Sequence, residues 1–278
     1  MPPRRNSEQI DIPEGQQNPL DYALSQRDRD VLDMVSAALQ HDEVMLAYQP
    51  VMEAQRHTEV AFYEGLIRVL DPTGRVIPAR QFITQVETRA LGREIDCIAL
   101  SHGLRALEAA PDLRLSINMS ARSIGYGKWQ DTLQMTLNRT PEVAERLILE
   151  LSAQSVMMLP ELVTSFMTET RRHGIAFALD DFGAGPIHLR HLRDIPFDAL
   201  KIDPEFCHNI ASSAANQPLV HALIAMATQM DILCVAEGVE KSADAQWLSQ
   251  AGISCLQGYY FGAPTIRPPW LKRPRMAG

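Results

Sequence analysis

The chain has 278 residues, 46% of them hydrophobic and 22% charged, an ordinary globular composition for one or two domains with no low-complexity stretch. A formal net charge of −8 gives no bulk attraction for duplex nucleic acid or an anionic membrane surface. No apolar run approaches the roughly 20 residues that span a bilayer, and the N-terminus lacks the apolar core of a signal peptide, so a cytoplasmic protein is expected.

Residues 1–24 are polar and rich in Pro, Gln and Asn, and read as a disordered tail. A helix is predicted from near Ser25, with Val31, Leu32, Val35 and Leu39 at helical spacing. Then eight apolar, strand-like runs follow in order: "VMLAYQPV" (44–51), "EVAFYEGLIRV" (59–69), "LRLSINMS" (113–120), "RLILELS" (146–152), "IAFALDD" (175–181), "FDALKID" (197–203), "ILCVAEG" (232–238) and "ISCLQGYYF" (253–261). Amphipathic segments such as 161–174 and 218–231 separate most of them, and Gly174 and Gly252 stand where helices should stop. One domain over 25–268 is expected, with a C-terminal tail over 269–278.

Continuous apolar strands alternating with helices argue for a parallel sheet covered on both sides. About eight of them suggest an α/β fold of the TIM-like (β/α)8 barrel type. A doubly wound open sheet is the competing architecture, but no glycine-rich nucleotide fingerprint follows the first strand. Cys97, Cys207, Cys234 and Cys255 form no CxxC pair, and Cys234 and Cys255 sit in apolar runs as small core residues. Met157, Met158, Met226 and Met230 are expected in the core as well.

The apolar runs end in a pattern. At or near their ends stand Glu64, Asn118, Glu150, Asp180 with Asp181, Lys201, Glu237 and Gln257. A barrel opens all parallel strand C-termini on one face, which carries the active site. Converging carboxylates take up protons or bind cations. Hard oxygen donors without His or Cys select Mg²⁺, Mn²⁺ or Ca²⁺ over zinc. The adjacent Asp180 and Asp181 suit a two-metal centre, the usual device for cleaving phosphodiesters.

Together these stretches resemble the EAL domain family, bacterial phosphodiesterases specific for cyclic di-GMP. The resemblance runs from about Asp42 to Pro264 through "AYQPV", "YEGLIR", "SINMS", "LILEL", "ALDDFGAG", "PFDALKID", "VAEGVE" and "QGYYFGAP". "EGL" stands where the family's namesake reads "EAL". The resemblance implies a barrel whose first strand is antiparallel, Mg²⁺ or Mn²⁺ as cofactor with two ions per site, and hydrolysis of cyclic di-GMP to linear pGpG. It implies Glu64, Asn118, Glu150 and Asp180 as ligands of one metal, and Asp180, Asp181 and Glu237 around the second. Lys201 matches a lysine associated with activating water, and like charges nearby would ease loss of its proton. Arg68 resembles a phosphate-holding arginine, and Gln49 and Gln257 resemble contacts lining the nucleotide pocket. A homodimer and a protein signalling partner are further expectations.

Two positions depart from the family pattern. Where Glu-x-x-Glu is usual, the chain reads Glu150-Leu151-Ser152-Ala153. Where the loop after the paired aspartates usually reads "DFGTGYSSL", it reads "DFGAGPIHL", with Pro186, Ile187 and His188 in place of a tyrosine and two serines. These changes raise a second reading, a catalytically weak or inactive domain that acts as a cyclic di-GMP receptor.

Overall fold

A computed structural model describes residues 18–185 and 189–271. The N-terminal helix runs Pro19–Gln40, so the boundary drawn at residue 24 falls inside it. Proline is tolerated in a first helical turn, where its missing N–H is not needed. Val35 of this helix is fully buried, with Val31, Leu32 and Leu39 packed on the core.

Nine strands follow: β1 (Val44–Glu53), β2 (Arg56–Leu70), β3 (Val76–Pro78), β4 (Leu115–Asn118), β5 (Leu147–Ser152), β6 (Ala176–Phe182), β7 (Ala199–Ile202), β8 (Leu233–Ala236) and β9 (Cys255–Gln257). All eight strand-like runs of the sequence are among them. Only β3 was not anticipated; it is a three-residue strand hung antiparallel on the end of β2.

The sheet order β1-β9-β8-β7-β6-β5-β4-β2 is closed by pairing of β1 with β2, which makes an eight-stranded barrel. Strands β2 and β4 to β9 run parallel to one another around the barrel, while β1 is antiparallel to both of its neighbours, β2 and β9. The reason is local. Only Ala54 and Gln55 join β1 to β2, and so short a link makes a hairpin, never a parallel crossover. The expected TIM-like barrel with an antiparallel first strand is the fold observed.

Helices cover the barrel and supply most of its core partners. The helix Ala90–Ala109 buries Leu100, Leu104 and Leu107 against the sheet. It approaches closely because of Gly103: a Cβ there would stand 2.7 Å from Cδ1 of Ile117 on β4. The same Ile117 methyl lies 2.7 Å from where a Cβ would stand on Gly65. Ile117 thus fills the space that the alanine of an "EAL" triplet would take, and the glycine in "EGL" is a packing accommodation beside an intact Glu64. All four cysteines are buried and free. Met158 departs from expectation: it is 53% exposed at the end of the short helix Ala153–Met158, whose buried face is used by Ala153 and Val156. Gly174 and Gly252 adopt left-handed φ values of 92° and 89°, as residues that end helices should. Among the described residues no helix is long and apolar enough to cross a membrane.

Candidate active site

The polar residues at the strand ends converge inside the barrel mouth. Strand alternation sends Glu64 and Arg68 of β2 to the same face, four residues apart. Asn118 ends β4 directly beside Glu150 of β5, and Ser152 of β5 pairs with Asp180 of β6. Lys201 comes from β7, Glu237 follows β8 and Gln257 ends β9.

Lys201 is the hub. Its Nζ lies 2.8 Å from Glu237 Oε1, 2.9 Å from Glu150 Oε2, 3.1 Å from Glu64 Oε2 and 3.6 Å from Asp180 Oδ1. Around it the site is graded in depth. Glu150 and Lys201 are 0% and 1% exposed, and Asp181 stands exposed at the rim. Glu64 is the most heavily supported carboxylate. Asn118 Nδ2 donates to its Oε1 at 2.8 Å, and Gln257 Nε2 donates to its Oε2 at 2.6 Å.

These surroundings separate the acids. Burial pushes the Glu64 carboxyl up, but the Lys201 ammonium and the Gln257 and Asn118 amides outweigh it and hold it below the usual range. Burial, with the Glu64 charge beside it, lifts Glu150 to about 8. Burial also raises Asp180 and places Glu237 well above the ordinary carboxylate range, with Lys201 opposing in both cases. Asp181 rises to about 6 through burial and the charges of Asp180 and Asp203. Burial disfavours the charged form of Lys201, yet the four carboxylates win and hold its proton firmly. The expectation that Lys201 sheds its proton easily rested on neighbouring cations; these carboxylates alone act in the opposite sense.

The arrangement fits divalent cations. Oxygen atoms of Asp180, Asp181 and Glu237 lie within 4.8 Å of one another. Glu150 Oε1 is buried with no hydrogen-bond partner among the described residues, an orphan acceptor in a site of hard oxygens. Several of these acids are driven toward the protonated form, and cations satisfy the same need for positive charge.

Two anticipated contacts are placed differently from an open pocket wall. Gln49 and Gln257 are 7% and 3% exposed and bond to each other at 3.2 Å. Gln49 also donates to the Gly262 carbonyl at 3.1 Å, and Gln257 is committed to Glu64. In this arrangement both amides brace the site from within. Arg68 is half-buried and donates to its neighbour Ile67's carbonyl at 2.8 Å. Burial lowers its pKa, with the charge of Glu64 opposing.

Supporting residues escaped the sequence reading because they lie on helices and turns, not strand ends. Asp96, buried on the helix Ala90–Ala109, accepts from the Ser120 amide at 2.9 Å and Ser123 Oγ at 2.6 Å, which ties down the loop after Asn118. Ser155 Oγ accepts from the Ala121 amide at 2.8 Å and links that loop to the one after β5. Ala153 is 3% exposed at the start of its helix, so no acid reaches the β6 turn from that position. Pro186, Ile187 and His188 lie outside the described residues. A cavity of about 400 Å³, lined by Val60, Phe62, Tyr63, Leu113, Arg114 and Trp270, sits at the start of β2 and before β4, away from these acids; cavity size does not locate this site.

An eight-stranded barrel with an antiparallel first strand and this acid-and-lysine mouth defines a class, and comparison with known proteins agrees. Residues 32–264 match the EAL domain family, and the chain belongs to it. The cyclic di-GMP phosphodiesterase NbdA of Pseudomonas aeruginosa is 31% identical over 232 residues, which cover 82% of this chain and 30% of that protein. The probable cyclic di-GMP phosphodiesterase PdeN of Escherichia coli is 28% identical, across 91% of this chain and 50% of that one. The chain therefore spans half or less of the length of these curated relatives. The solved PaMucR phosphodiesterase in complex with c-di-GMP superposes with a TM-score of 0.75 at 26% identity, covering 85% of this chain and 97% of that one.

Proposed function

We propose that this chain hydrolyses one phosphodiester of cyclic di-GMP to give linear pGpG, with two Mg²⁺ or Mn²⁺ ions held at the barrel mouth. The observation that carries the reading is the convergence of four carboxylates on Lys201, with Asp181 beside them at the rim, in a barrel of the EAL family. Glu64, Asn118, Glu150 and Asp180 would hold one ion, and Asp180, Asp181 and Glu237 the other. Bound there, the ions would lower the pKa of a water and stabilise the leaving oxygen. Gln257 and Asn118 keep Glu64 ionised and aimed. Lys201 holds four carboxylates at fixed spacing against their mutual repulsion.

Arg68 would grip a phosphate oxygen of the nucleotide from the rim. Its guanidinium makes no ion pair within 4 Å among the described residues, so it is available for an anion. Arg68→Ala should weaken nucleotide binding by about 1.5–3 kcal/mol, the range for a hydrogen bond to a charged group. Calorimetry with cyclic di-GMP in Ca²⁺, which should fill the oxygen site without fast turnover, measures this; unchanged affinity removes Arg68 from the contact.

The receptor reading is favoured by one observation. The buried Ala153 supplies no acid to anchor the turn after Asp181. Assays of product formation against Mn²⁺ concentration should compare the parent, Ala153→Glu, a loop changed to "DFGTGYSSL", and both together. Ala153→Glu alone should gain little, because a buried carboxylate without its hydroxyl partners is destabilising. The combined variant should exceed both single changes, since such neighbours are non-additive. Brisk parent turnover with no gain in the combined variant would make the loop change neutral. An inert combined variant that still binds nucleotide would replace the enzyme reading with the receptor one.

A further inference from the structure

The turn after β7 touches both of the turns that carry Asp181 and Glu237. Residues Pro204–Cys207 form a single helical turn capped by Asp203, whose carboxylate accepts from the Glu205 amide at 2.7 Å. On one side, the Asp203 amide donates to the Phe182 carbonyl at 3.1 Å. The Phe206 ring lies against Gly183: a Cβ on that glycine would stand 2.5 Å from Phe206 Cε2. On the other side, a Cβ on Gly238 would stand 2.8 Å from Pro204 Cβ. From behind, Asn216 Nδ2 donates to the carbonyls of Glu205 and Phe206 at 3.1 and 3.4 Å.

The seats of this bracket are close to the acids. Gly183 is two residues after Asp181, and Gly238 directly follows Glu237. Both glycines have positive φ, 108° and 67°, and Asp181 itself sits at φ 53°. A non-glycine residue in the left-handed region persists where its surroundings over-determine it. Within the turn, the Asp181 amide donates to Asp180 Oδ1 at 2.9 Å and the Ala184 amide to the Asp181 carbonyl at 3.1 Å. Both contacts are local and move with the turn. The Asp203 amide and the Phe206 ring come from the turn after a different strand, β7, so they set where the turn after β6 sits relative to Glu237.

We infer that Phe206 and Pro204 are positioning residues that hold Asp181 and Glu237 at the spacing needed to share one divalent cation. The inference rests on the two-cation reading above. It also explains why side chains are absent at both seats: the ring and the proline occupy the room.

The test uses the full chain, titrated with Mn²⁺ alone, with Asp181→Asn marking which binding step belongs to this pair. Phe206→Leu keeps apolar bulk but removes the flat ring, and should weaken that step at least about tenfold, as loss of a ligand's outer support does. The other step should change less than about threefold by the same reasoning, since Glu64, Asn118 and Glu150 have separate supports and only Asp180 is shared. Phe206→Tyr, which keeps the ring, should bind as the parent does. Pro204→Gly, at an exposed position, removes the Cβ that lies against Gly238 and should weaken the same step with the fold intact. In chelator, hydrogen exchange of the Ala184 amide should quicken in Phe206→Leu while core amides such as Leu200 keep their protection. Parent-like binding and Ala184 protection in Phe206→Leu, or equal weakening of both steps, would overturn the inference. A parent that binds a single Mn²⁺ would overturn the two-cation reading itself, and that isotherm decides it without any variant.

Discussion

Lys201→Met is expected to destabilise the metal-free protein by about 3–5 kcal/mol at pH 8, the range for breaking a buried ion pair. The side chain is 1% exposed, and its ammonium is the shared counter-charge of Glu64, Glu150, Asp180 and Glu237. Methionine matches its length and leaves the carboxylates facing one another in a water-poor interior. The loss should depend on pH, with a sign that follows from the folded-state pKa values. Glu150 is already lifted to about 8, and Asp180 and Glu237 are raised too. Acids with raised folded pKa favour the folded state most below their unfolded pKa, near 4, and that advantage is lost as pH rises through the folded value. Removing Lys201 raises those folded values further. The penalty should therefore be largest near pH 8 and shrink toward pH 5, where the acids take up protons. Added Mn²⁺ should restore part of the loss by supplying the missing charge. Denaturant unfolding in chelator at both pH values checks this. Equal stability of variant and parent at pH 8 would mean that the carboxylates do not need the ammonium.

Asp180→Asn should lower hydrolysis of cyclic di-GMP at least about 100-fold, because it disturbs both water activation and stabilisation of the leaving oxygen. Asp180 is the carboxylate common to both proposed ion sites, and it also faces Lys201 at 3.6 Å. The amide keeps the side chain's volume, so packing is spared while the charge is lost. Asp181→Asn is the contrasting variant. Asp181 is exposed at the rim and belongs to one proposed site only, so Mn²⁺ stoichiometry should fall by one ion there and by two in Asp180→Asn. Chromatography of the product and calorimetry of Mn²⁺ binding read the two effects separately. Parent-level turnover in Asp180→Asn would refute its role.

Much of this was legible in the linear sequence. Apolar continuity marked all eight barrel strands, because strands covered on both faces need apolar residues at every position. The polar groups that interrupt those runs, Glu64 through Gln257, marked the mouth, because parallel strands open their C-termini on one side. Hard oxygen chemistry and the pairing of Asp180 with Asp181 were readable from residue type alone. The antiparallel β1 was expected only through the family resemblance; the apolar runs stopped at 51 and resumed at 59, and the two-residue link emerged with the structure.

Tertiary structure decided the rest. Which acid meets Lys201, and at what distance, depends on how the barrel closes and staggers, a long-range property that no local pattern encodes. Closure put Gln257 of the last strand beside Glu64 of the second, where its amide braces the carboxylate, a contact that strand order alone does not reveal. It brought Ile117 between Gly65 and Gly103, two glycines that look unrelated in sequence. Depth was likewise hidden: Glu150 and Asp181 are both strand-end acids, yet one is sealed and the other faces solvent. Composition and periodicity determine which side chains can turn inward, but only the folded barrel sets how far each lies from water and from its counter-charge, and those distances set its proton affinity.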